Sequence, residues 1–168
     1  LQHDHRDGGQ DFLHPADATT RAFLDVHAAL PYEIQHSDPD FVYAEELRYD
    51  VATWTPWLAA PSSVDNGASL ADHAGRRIDQ AYLGSCTGGR LEDIAAAAAI
   101  LHGQKVASTV RFILVPASQQ VFLQAMEKGY IQSLVTAGAT LHTPHCAACL
   151  GTPPGPPPPG GTCISSTT

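Results

Sequence analysis

The sequence has no long apolar run. Nothing approaches the roughly 20 consecutive apolar residues of a membrane-spanning helix, and the longest stretch, Ile94 to Leu101, is mostly alanine beside Glu92 and Asp93. Positive charge is scarce: nine Lys and Arg stand against 17 Asp and Glu, for a net charge of −8. That balance excludes the basic footprint of a nucleic-acid binder. Cysteine is sparse as well, four in 168 residues, far from the density of a small disulfide scaffold. The start, Leu1-Gln2-His3-Asp4-His5, lacks the basic and apolar regions of a secretory signal, so none is expected. The expectation is a soluble cytoplasmic protein with neither a membrane nor a nucleic-acid partner.

Hydrophobic residues make up 43% of the chain and mean hydropathy is −0.10, the balance of a globular domain with a core. Charge is unevenly distributed. Residues 1–84 hold 14 carboxylates and five Lys or Arg, whereas residues 85–168 hold only three and four. A second half nearly free of carboxylates suits an anionic substrate or cofactor, and equally an Ala- and Gly-rich core.

Residues 1–19 read as a loose polar entry segment, followed by one α/β domain over 20–168 whose best-defined core is 76–151. Thr20 offers an N-cap for a helix from Arg21 to Leu30, with Ala22, Phe23, Val26, Ala29 and Leu30 on one face and Pro31 as its stop. From Tyr32 to Asn66, Tyr43, Tyr49, Trp54 and Trp57 mix with acids and prolines, which predicts short strands with core or interface aromatics.

The pattern then sharpens. Ile78–Leu83 predicts a buried strand ending in Gly84-Ser85-Cys86-Thr87-Gly88-Gly89, and Arg90–His102 an Ala-rich helix stopped by Gly103. Val110–Val115 predicts a strand, Ser118–Lys128 a capped helix, Tyr130–Ala137 another helix, and Ala139–His142 a third strand. This alternation predicts a three-layer α/β/α domain with a small, mainly parallel sheet. Seven of the 13 prolines fall between 144 and 159, so residues 152–168 read as a Pro/Gly-rich tail. The chain stops within what reads as another strand near Cys163, which is expected to reflect truncation.

Cys86 follows a strand and Cys146-x-x-Cys149 follows a later one. In a parallel layer the carboxyl ends of strands share an edge, where ligands bind, so these cysteines can converge although sixty residues apart. The glycines after Cys86 are expected to let backbone approach a bulky ligand. Three soft thiolates suit an iron–sulfur cluster with one iron open, a Cys₃His zinc site using His142 or His145, or a redox dithiol. Cys163 reads as a free buried thiol.

Gly84-Ser85-Cys86-Thr87-Gly88-Gly89-Arg90-Leu91-Glu92-Asp93 closely resembles the Gly-Ser-Cys-Thr-Asn-Gly-Arg-x-Glu-Asp signature of the aconitase superfamily, above all the large subunits of 3-isopropylmalate dehydratase and homoaconitase. Val115-Pro116-Ala117-Ser118-Gln119-Gln120 is similar to that family's next conserved segment, and Pro144-His145-Cys146-Ala147-Ala148-Cys149-Leu150-Gly151 to its second cluster motif. Cys163-Ile164-Ser165-Ser166-Thr167 resembles the start of its Cys-x-Ser-Thr-x-Asn-Arg-Asn-Phe segment, and Ser37 to Tyr43 also looks family-like.

The resemblance implies that Cys86, Cys146 and Cys149 hold a 4Fe–4S cluster whose fourth iron has no protein ligand. It implies a hydro-lyase that moves a hydroxyl between adjacent carbons of a hydroxy di- or tricarboxylate, with a small subunit or swivelling domain as partner. Ser85, Thr87 and Arg90 are weaker candidates for substrate contact. Four features depart from the family. Gly88 stands in place of Asn, His145 and Ala147 in place of Gly, and the chain ends before the Asn-Arg pair. These support an alternative expectation, a non-catalytic remnant or interaction module whose cysteines bind zinc or no metal. On either reading the chain is expected to be catalytically incomplete alone.

Overall fold

A computed structural model of the chain describes residues 16–61, 63–146 and 159–167. Two compact units divide at Trp54 and Thr55. Among the described residues no helix is long and apolar enough to cross a membrane.

The first unit contains helix α1 (Ala18–His27) and a short 3₁₀ turn at Val51–Thr53. Helix α1 starts earlier than expected because Asp17, not Thr20, caps it. The Asp17 carboxylate accepts from the Thr20 amide (2.7 Å) and hydroxyl (2.8 Å), and these bonds hold its pKa below the ordinary carboxylate range. None of its residues is buried. Phe23 and Val26 are exposed, as are Tyr43, Tyr49 and Trp54 farther along, so the aromatics of this unit form no core in the described chain. They meet locally instead, with Phe41 edge-on to Tyr43 and Tyr49 edge-on to Trp54.

The second unit opens with a small antiparallel pair, β1 (Trp57–Ala59) and β2 (Gly67–Ser69). Its core is a four-stranded, wholly parallel sheet made of β3 (Gln80–Gly84), β4 (Arg111–Val115), β5 (Ala139–Leu141) and β6 (Cys163–Ser165). The strands lie in the order β5-β4-β3-β6. The chain therefore steps outward from β3 to β4 to β5, then returns to pair β6 on the other side of β3. That reversal is a topological switch point, and the crevice beyond the carboxyl ends of such strands is where open α/β sheets bind ligands.

Helices α2 (Leu91–Ile100), α3 (Gln119–Glu127) and α4 (Tyr130–Ala137) connect the strands. Their boundaries follow local chemistry. The Ser118 hydroxyl accepts from the Val121 amide (3.1 Å) to start α3. Gly129 and Gly138, both left-handed, bracket α4. Strand β4 alternates between two cores. Phe112 and Leu114 join Ile94, Ala98, Ala125, Ile131, Leu134 and Ala139 in the helix-facing core, while Ile113 and Val115 bury with Tyr82 on the opposite face. The expected α/β class with a parallel sheet is present. All three helices of this unit share one core, so among the described residues its helical layer lies on a single face.

Both ends of the β3–β6 pairing are fastened by side chains. At the amino edge, Asp79 accepts from the Thr162 amide (2.9 Å). Buried Gln80 accepts from the Arg111 guanidinium on β4 (2.8 Å to Nε) and donates toward Cys163 Sγ on β6 (3.6 Å).

Candidate metal centre

Cys86 lies two residues beyond the end of β3, in the turn that leads to α2. Cys146 lies five residues beyond the end of β5. Because the strands are parallel, both thiols leave the same edge of the sheet. Strands β3 and β5 flank β4, so their ends stand two strand spacings apart, about 10 Å. Both cysteines are free and exposed. Cys149, the expected third ligand, lies outside the described residues, as do Ala147 and most of the Pro-rich run. Among the described residues no three His, Cys, Asp or Glu side chains form a metal-binding group.

Cys163 occupies the opposite edge. It pairs with Gln80 at the start of β3, whereas Cys86 follows the end of that strand. Four residue steps of extended chain run from Gln80 to Gly84, about 13 Å. Cys163 is thus excluded from a site built on Cys86. It is exposed rather than buried as a residue, because β6 is an edge strand. Partial desolvation of its thiol nevertheless pushes the pKa up, against the opposing effects of the Gln80 amide and Arg111.

The Cys86 loop is held from three sides. Buried Ser85 places its hydroxyl 4.0 Å from Cys86 Sγ. The Thr87 hydroxyl is bonded to that of Thr167 (2.7 Å), a segment sixteen residues beyond Gly151, so its expected role in substrate contact competes with a structural one. On the helix side, the Arg90 amide donates to the Asp93 carboxylate (3.0 Å), which fixes the first turn of α2 and leaves the Arg90 side chain exposed.

The glycines have a packing role within the chain. A Cβ on Gly88 would lie 2.5 Å from Ser166 Oγ and 2.7 Å from its carbonyl carbon, and one on Gly89 would lie 2.7 Å from the Ser85 carbonyl oxygen and collide with that of Val115. They let β6 and β4 close on the loop. The Gly89 carbonyl in turn accepts from the Ala117 amide (2.8 Å) after β4.

On the far side of the site, the His142 amide donates to the Leu114 carbonyl (2.9 Å) and extends the β5 pairing. The rings of His142 and His145 stack at 5.9 Å, and His145 Nδ1 lies 2.6 Å from the Thr143 carbonyl, which makes it the donor nitrogen. Sequence reasoning missed Ser166. Its signal is only that a hydroxyl residue follows the strand that pairs beside β3. The donor set, soft unpaired thiols at one exposed sheet edge, fits an iron–sulfur or zinc centre in its chemistry.

The profile of the aconitase family (aconitate hydratase) matches residues 69–168. The chain is 42% identical over 144 residues to a 3-isopropylmalate dehydratase large subunit of Desulfitobacterium hafniense, covering 86% of this chain and 34% of that protein. It is 42% identical over 161 residues to the large subunit so named in Mycolicibacterium smegmatis, covering 91% and 38%. It is 44% identical over 131 residues to a homoaconitase large subunit of Thermus thermophilus, covering 78% and 31%. The chain spans about a third of the length of these relatives. With the match over residues 69–168 taking in the whole four-stranded sheet and the Cys86 loop, the chain belongs to the aconitase family.

Proposed function

We propose that the chain is the cluster-carrying part of a hydro-lyase large subunit resembling 3-isopropylmalate dehydratase, in which Cys86, Cys146 and Cys149 hold a 4Fe–4S cluster. The observation that carries this reading is the common sheet edge of Cys86 and Cys146, with Cys163 at the other edge. Free thiols also suit a reducing, cytoplasmic setting. When bound, such a cluster supplies a Lewis-acidic iron for the hydroxyl and carboxylate of a hydroxy di- or tricarboxylate.

The chain's own residues prepare that site. Buried Ser85 keeps its hydroxyl 4.0 Å from the sulfur of Cys86. Arg90, exposed at the start of α2, offers a guanidinium to a substrate carboxylate. The scarcity of carboxylates after residue 84 reduces repulsion of an anionic substrate. The base that takes the carbon-bound proton is proposed to come from a small subunit or swivelling domain, in keeping with relatives named as large subunits.

The test is anaerobic reconstitution with iron and sulfide, followed by electron paramagnetic resonance of the reduced protein with and without 3-isopropylmalate. A spectrum that shifts with the hydroxy dicarboxylate, and not with succinate, is expected. A cluster spectrum that ignores every hydroxy di- and tricarboxylate would remove the hydro-lyase role. One observation favours a second reading: His145 donates through Nδ1 to a backbone carbonyl, the orientation of a zinc-ligating histidine, and its Nε2 could complete a Cys₃His site. One zinc per chain with no iron would support that structural module instead.

A further inference from the structure

The turn carrying Cys86 has its two ends tied to one hydroxyl. The Gly84 amide donates to Ser166 Oγ (3.2 Å), and the Ser166 hydroxyl donates to the Gly88 carbonyl (2.9 Å). Cys86 is the central residue of the five so enclosed. A serine hydroxyl has one proton and two lone pairs, so it can accept at one end of the turn while donating at the other. The Ser166 amide is engaged separately, donating to the Tyr82 carbonyl (3.0 Å) and continuing the β6 pairing. Side chain and backbone of Ser166 thus have different duties.

The approach depends on Gly88, since any Cβ there would fall against Ser166. It depends also on the strand order, which seats β6 directly beside β3 at the switch point. A neighbouring bond between the hydroxyls of Thr87 and Thr167 (2.7 Å) runs between the same two segments. Residues 163–167 therefore clasp the first cysteine turn, although they follow Cys149 in the sequence by fourteen residues or more.

We infer that Ser166 is a positioning residue, whose hydroxyl holds the Gly84–Gly88 turn closed and so presents Cys86 to the metal centre in one fixed geometry. The presentation to metal rests on the cluster reading above; the closure of the turn rests on the hydrogen bonds alone. Docking of β6 and loading of the site are then coupled, each favouring the other.

The experiment compares the 168-residue chain with Ser166→Ala, Ser166→Thr and Gly88→Ala, metal-free, by residue-resolved amide hydrogen exchange. Loss of the two bonds is expected to speed exchange at the Gly84–Gly89 amides about tenfold in Ser166→Ala. The Ser166-position amide and those of β4 keep the parent rate. Ser166→Thr retains the hydroxyl and returns the turn to within about twofold of the parent. Gly88→Ala keeps the serine but drives a methyl against its backbone carbonyl as well as its hydroxyl, so it is expected to speed the turn and the end of β6 together and shows what displacement of the whole strand looks like. Unchanged exchange in the turn of Ser166→Ala, acceleration of its β6 amides equal to that of the turn, or failure of threonine to rescue would each overturn the inference. A second readout, iron release to a chelator after reconstitution, is expected to be faster in Ser166→Ala. A chain that takes up no iron while its turn responds as expected would leave the latch standing and remove the cluster reading.

Discussion

Replacing Gly89 by alanine tests how tightly the Cys86 loop is clamped to the sheet. The new Cβ would meet the carbonyl of Val115 at the end of β4, and would lie 2.7 Å from the Ser85 carbonyl oxygen and 2.9 Å from Gly84 Cα. All three are backbone atoms near the buried end of the sheet, so no side-chain rotation relieves the contact. Overpacking of this kind costs about 1–3 kcal/mol. Withdrawal of the loop would also strain the bond from the Ala117 amide to the Gly89 carbonyl, a further loss of about 1 kcal/mol. The expected destabilisation is about 2–4 kcal/mol. With a urea slope of roughly 2 kcal/mol per molar, the midpoint falls by about 1–2 M. The assay is urea unfolding followed by far-ultraviolet circular dichroism, with substitution of exposed Gln132 of α4, Gln132→Ala, expected to stay within about 0.5 kcal/mol of the parent. A Gly89→Ala midpoint indistinguishable from that of Gln132→Ala would refute the clamp.

Three further outcomes follow from the same structure. Leu134, fully buried in the helix-facing core, should cost about 2–5 kcal/mol when cut to alanine, read from the same unfolding curves. Cys163→Ser should leave iron uptake on reconstitution at the parent level, because Cys163 stands at the other edge of the sheet from Cys86; a fall in iron content comparable to that of Cys86→Ser would contradict the placement. The raised pKa of Cys163 means that its thiolate forms only above the pH at which an ordinary thiol ionises. Its alkylation rate, followed by peptide mass spectrometry, should therefore reach half-maximum at higher pH than that of the same residue in urea-unfolded chain. By linkage the folded state holds this proton longer than the unfolded state. Cys163 therefore contributes stability that is lost as pH rises from the unfolded thiol pKa toward the folded one.

The core of the second unit was legible because its signals are local. Ser118, Gly129 and Gly138 punctuate α3 and α4 at the residues that cap them, and the run Phe112–Val115 is apolar on both faces, as a buried parallel strand must be. Helix α1 misled for the converse reason. Its apolar periodicity states which side is oily, not whether anything covers it, and Phe23 and Val26 are exposed. The edge occupied by Cys163 was accessible in principle, since a cysteine that opens a parallel strand and one that follows a strand's end must lie at opposite edges. The register of β6 against β3 was not accessible. Pairing between residues 80 and 163 is a long-range choice with no trace in either segment, and the role of Ser166 depends on it.

Cys86, with Cys146 and Cys149, is proposed to hold an iron–sulfur cluster. The most direct measurement is iron, sulfide and zinc content, with the visible absorbance spectrum, of the chain purified and reconstituted without oxygen, beside Cys86→Ser. About four irons per parent chain with broad charge-transfer absorbance are expected, and loss of both in Cys86→Ser. A colourless parent that resists reconstitution, or one that holds a single zinc, would contradict it.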